Sequence, residues 1–97
     1  MGYEVDILPS AKIEIAEALD YYSIISDILP QKFMDELYSL YELLRINPHY
    51  QKRHEYIRGL PLRRFPYILF FTVDETIKTV KVLSCFHTSQ NPKKYPI

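Results

Sequence analysis

An α+β fold in the order β-α-α-β-β-β is what this chain predicts. Three features of the sequence carry that expectation. Two consecutive helical stripes fill the first half, an almost unbroken apolar, β-favouring run follows, and segments of alternating residues stand at either end. Helices gathered ahead of the strands should form an N-terminal hairpin on one face of a mostly antiparallel four-stranded sheet. The other face is left for something else.

Tyr3-Glu4-Val5-Asp6-Ile7-Leu8 alternates apolar and acidic residues, the pattern of a half-buried strand, and Pro9 ends it. Pro9 and Ser10 supply helix-start chemistry, with Glu14 and Glu17 near the positive end of the dipole. Ile15, Ala18, Leu19, Tyr22 and Ile25 then make one helical stripe. Ser26-Asp27 breaks it, with Asp27 as the expected N-cap of a second helix whose first turn tolerates Pro30. Phe33, Leu37, Leu40, Tyr41 and Leu44 form the second stripe, which Asn47-Pro48 stops. A connection this short predicts an antiparallel helical hairpin.

Residues 49–56 read as a loop with a possible start of pairing, Arg58-Gly59 as a turn or bulge, and Leu60 to Phe65 as a short strand. Tyr67 to Val73 has no polar face and should be central, covered on both sides. Asp74-Glu75-Thr76 turns the chain, and Ile77 to Phe86 returns it, with Val80, Val82, Ser84 and Phe86 alternating against Lys81, Leu83 and Cys85.

Ninety-seven residues with 47% hydrophobic content predict one domain over 1–97 with a modest core. Nine Tyr and five Phe with no Trp suit half-buried surfaces, where a ring packs and its hydroxyl stays wet. The single cysteine, Cys85, excludes an internal disulfide and lies in an apolar run, as an inert thiol would. Two glycines cannot build a nucleotide loop, and His49, His54 and His87 lack metal-site spacing, so no cofactor or metal is expected. With no membrane-length apolar stretch and no signal-peptide pattern, the expected location is cytoplasmic.

The formal net charge of zero conceals a division. Residues 1–44 carry nine acids against Lys12 and Lys32, whereas residues 45–97 carry ten bases against Glu55, Asp74 and Glu75. A basic face of this kind can approach phosphate, although acidic helix exteriors and basic strand exteriors would also account for it.

Four local signatures, in order and over nearly the whole chain, resemble the RelE/ParE toxin superfamily. They are the first strand and an Ala-containing helix reaching Tyr21-Tyr22; Phe33…Leu37…Leu44…Asn47-Pro48; Arg58…Leu60…Arg63-Arg64-Phe65-Pro66-Tyr67; and Val82-Leu83 with Phe86-His87-Thr88-Ser89 and Asn91-Pro92-Lys93-Lys94-Tyr95. The resemblance implies the toxin of a type II toxin–antitoxin pair, neutralised by a cognate antitoxin. RelE-like members cut mRNA in the ribosomal A site without a metal; ParE-like members poison DNA gyrase. It therefore leaves open whether this chain is an enzyme, a non-enzymatic poison or an inactive antitoxin-binding remnant.

For the nuclease reading, the resemblance implies Arg63, His87 and Tyr95 as catalytic residues, with Arg58, Arg64, Lys93 and Lys94 binding the backbone or target. Arginine can neutralise a crowded phosphate, and histidine can move a proton near neutral pH. On a strand, Arg63 and Arg64 would point to opposite faces unless Leu60-Pro61 introduced a bulge. The chain also departs from RNA-cleaving relatives. Gln90 stands where close look-alikes have arginine, Thr88-Ser89 are neutral, and zero net charge is low for a ribosome-entering protein.

Overall fold

The computed structural model describes residues 2–50 and 52–89, the His54 side chain excepted. The chain runs β1 (Glu4–Ile7), α1 (Pro9–Ile25), α2 (Leu29–Ile46), β2 (Lys52–His54), β3 (Ile57–Pro61), β4 (Tyr67–Asp74), β5 (Thr79–His87). The sheet order is β1-β5-β4-β3-β2, with β1 parallel to β5 and every other pairing antiparallel. The α+β class, the helical hairpin and the central Tyr67 strand all stand as expected.

Among the described residues the sheet has five strands rather than four. The additional strand, β2, is three residues long and pairs only through Lys52↔Arg58 and His54↔Ile57. Its pairing is made by backbone, and it is too short to impose a period on its side chains. β3 also sits earlier than the expected Leu60–Phe65. Arg58 and Gly59 lie inside the strand, opposite Phe71 and Phe70, and are not a turn. Gly59 is needed for close approach, since a Cβ there would lie 2.9 Å from the Arg53 side chain.

The helix starts differ in detail. Pro9 opens α1 without a side-chain cap, and Ser10 reaches across to donate from Oγ to the Leu83 carbonyl at 2.7 Å. The N-cap of α2 is Ile28, not Asp27, and the Ile28 amide donates to Ser26 Oγ. Ala11, Ile15, Ala18 and Tyr22 form the buried face of α1, while Ile25, expected in that stripe, is 56% exposed. Phe33, Leu37, Leu40 and Leu44 form the buried face of α2.

β5 departs from strict alternation. Val82 pairs with Phe71 and Ser84 with Phe70, so Leu83 is an extra residue without a partner. This bulge reverses the side-chain parity. Val80 and Val82 before it, and Cys85 after it, all join the core under the helices with Leu69 and Phe71. Phe86 instead packs with Ile68 and Phe70 on the opposite face. Among the described residues, no helix is long and apolar enough to cross a membrane.

The core also holds groups that resist ionisation. Burial first, then the Glu14 charge, pushes the Cys85 thiol from 9.0 up to about 12. Burial pushes Tyr67 from 10.0 up to about 12. The unfolded chain releases these protons first, so their contribution is complete below pH 9 and lost as pH rises toward 12. Urea midpoints measured across that range should fall steadily, and Cys85→Ala should remove the earliest part of the decline.

Candidate functional site

Two clefts lie beside the helices. The smaller, about 230 Å³, lies between α1 and the sheet, with Glu14, Glu17 and Tyr21 on one side and Tyr67, Cys85 and His87 on the other. The larger, about 650 Å³, lies between α2 and the bend that joins β3 to β4.

His87 reaches the first cleft because the Leu83 bulge returns it to the helix side of the sheet. Its ring stands edge-on to Tyr67, with centroids 4.9 Å apart. Nδ1 accepts the Ser89 backbone N–H at 3.1 Å and lies 2.6 Å from Ser89 Oγ. A backbone amide can only donate, so Nδ1 is the lone-pair nitrogen and the neutral ring carries its proton on Nε2. The nitrogen left for a ligand is therefore a donor, whereas a general base must offer a lone pair.

Carboxylates wall the same cleft. Glu14 Oε1 accepts both the Ser84 hydroxyl at 2.7 Å and the Cys85 amide at 3.0 Å. The sequence places Glu14 near the helix start, but the side chain instead clasps the bulge. The available signal was its spacing, three residues after Ala11 and four before Ala18, on the face that packs against the sheet. Phosphate entering here would meet the charges of Glu14 and Glu17, and no arginine lines the cleft.

The arginines lie elsewhere. Arg63 and Arg64 are not on a strand but in the bend between Pro61 and Pro66, where the Leu62 amide donates to the Tyr67 carbonyl at 2.9 Å. Both arginine backbone amides donate to the Glu36 carboxylate of α2. Fastened by the backbone, their exposed side chains line the second cleft beside Lys32. Arg58 is partly buried and donates from Nη1 to the Tyr50 carbonyl, which makes it a strut between β3 and the α2–β2 connection. Neither described cleft is lined by both His87 and Arg63. Lys93, Lys94, Tyr95 and Gln90 lie outside the described residues. Among the described residues, no three His, Cys, Asp or Glu side chains converge as a metal site would require.

A helical hairpin on a sheet whose first strand pairs in parallel with its last, with His87 ending that last strand and two arginines in a separate cleft, defines a class. The chain belongs to the ParE toxin family, the toxins of type II parDE toxin–antitoxin systems, whose family model matches residues 5–92. One particular solved structure that it resembles is a chain of the chromosomal ParDE TA system from P. aeruginosa. The match has 17% identity and a TM-score of 0.76, and covers 90% of this chain and 97% of that one. At that identity the likeness shows the fold. No curated protein sequence matches the chain. The RelE/ParE resemblance drawn from local signatures is thus borne out, on the ParE side.

The Glu14 clasp can be tested directly. Glu14→Ala leaves the Ser84 hydroxyl and Cys85 amide without their acceptor, at a cost of about 1–3 kcal/mol. Urea unfolding should show that loss, and amide exchange at Cys85 should quicken. Glu14→Gln, which keeps an acceptor oxygen, should lose less.

Proposed function

We propose that this toxin acts by binding its target rather than by breaking a bond in it. The reading is a ParE-like poison of DNA gyrase, held inactive in the cytoplasm by a cognate antitoxin. One observation carries it: among the described residues, the arginines of the bend and His87 line different clefts. Metal-free RNA cleavage needs a base, a phosphate-neutralising cation and an acid around one phosphate. Here Arg63 and Arg64 line one cleft and His87 the other, whose walls include Glu14 and Glu17. The neutral His87 ring already has its lone pair engaged by Ser89.

In this reading Arg63 and Arg64 contact the target protein, joined by Lys93 and Lys94 on sequence grounds. Arg58 braces the strand that leads to them, and His87 and Tyr95 carry no catalytic duty. Family membership supports an antitoxin partner, because type II toxins are paired with one.

The test is induction of the protein without its antitoxin. Growth arrest should come with accumulation of cleaved DNA–gyrase complexes, and translated messages should show no cuts in the A site. His87→Ala should leave arrest unchanged. Arg63→Ala with Arg64→Ala should raise the dose needed for arrest about tenfold or more, as expected for losing well-placed interface charges. Mapped A-site cuts that disappear with His87→Ala would overturn the proposal and restore the nuclease assignment.

A further inference from the structure

The cleft between α2 and the β3–β4 bend contains charges of both signs, but they are not equally engaged. Asp35 Oδ1 accepts the Gln31 side-chain amide at 2.8 Å. The Glu36 carboxylate is taken up by the backbone amides of Arg63 and Arg64. The three cations of the cleft have no such engagement. Among the described residues, ion pairs form at Arg45–Glu42, His49–Glu75 and Lys78–Glu75, and none reaches Lys32, Arg63 or Arg64. The acids have spent acceptor sites on neutral donors inside the fold, while the ammonium and both guanidinium groups keep theirs. Among the described lining residues, three unpaired cations stand against two carboxylates that already accept hydrogen bonds, so the surplus charge of the cleft is positive.

Two leucines also line the cleft. Leu40 is buried in the core, and Leu43, 46% exposed, presents its side chain one helical turn away from Ser39. Among the described residues, no aromatic ring lines the cleft. Single-stranded nucleic acid binds by stacking bases on aromatic rings along a basic track, and here it would lack the platform and meet Asp35 and Glu36. A peptide with carboxylates beside an apolar residue finds complements to both. Guanidinium forks take carboxylates in pairs, and Leu43 takes the apolar side chain.

We infer that this cleft is a docking groove for an acidic segment of a partner protein, whose carboxylates meet Lys32, Arg63 and Arg64 and whose apolar side chain covers Leu43. Glu36 is the positioning residue: by holding two consecutive amides it turns the bend so that both arginine side chains stand over the groove. The inference rests on the reading that this toxin works through protein contacts, and it names the chemistry of one such contact.

The test uses the full chain, labelled with nitrogen-15, and a short acetylated peptide alternating Glu and Leu as the probe. The amide signals of Arg63, Arg64 and Ser39 should move on titration. Affinity should fall as salt rises, and by about tenfold or more in the Arg63→Ala, Arg64→Ala variant, which removes exposed side chains and leaves the backbone bonds to Glu36 in place. Leu43→Ser should weaken binding several-fold. Absence of these shifts, equal shifts with a Lys–Leu peptide, or displacement of the probe by a single-stranded RNA of equal length would each overturn the groove assignment. Growth arrest with cleaved gyrase complexes but no peptide binding would sink this inference alone. Peptide binding at the groove without gyrase damage would uphold it and remove the gyrase reading.

Discussion

The extra residue in β5 is the constraint on which the arrangement of this molecule turns. A bulge leaves backbone groups without ladder partners, and α1 supplies them. Ser10 donates to the Leu83 carbonyl, while Glu14 accepts from the Ser84 hydroxyl and the Cys85 amide. These contacts fix how far α1 lies along the sheet, and the parity change they hold decides which face each later side chain meets. Without it, Cys85 and His87 would point away from the helices and Phe86 toward them. The cleft that contains His87 exists because of one unpaired residue.

A cluster of four aromatic rings completes the join. Tyr22 of α1, Phe33 of α2, Phe65 of the bend and Tyr67 of β4 meet with centroids 5.0 to 6.4 Å apart, mostly edge to face. Such pairs add about 0.5–1.5 kcal/mol each beyond the area they bury. The cluster ties together both helices, the bend and the central strand. It also separates the clefts: Tyr67 walls the one with His87, and Phe65 anchors the bend that carries Arg63 and Arg64. The aromatic richness of the chain is therefore largely structural on this side, and it stands between the cleft of the histidine and the cleft of the arginines.

Much of this was legible in the residues. Heptad-like stripes marked both helices, because burial on a helix repeats every three or four positions whatever lies opposite. The run from Tyr67 to Val73 marked a central strand, because only a strand covered on both faces can dispense with a polar one. β2 was hidden by its shortness and by having its pairing in the backbone. The span of β3 was misread because Gly59 was taken for a turn signal, whereas it makes room for Arg53 across the strand pair. Asp27 has the chemistry of a cap, but the helix begins one residue later.

What the sequence determined by itself was the class of fold, the family and the inventory of charged groups. Those follow from periodicity, order and composition, which are properties of the chain as a line. Tertiary structure decided which of those groups share a cleft. Arg63 and His87 stand 24 positions apart in the chain, and no local pattern foretells that Glu36 will claim the amides of the first while Glu14, through the bulge, sets the face of the second. Both clasps are carboxylates on helices bonding to distant backbone, and backbone amides carry no sequence signature.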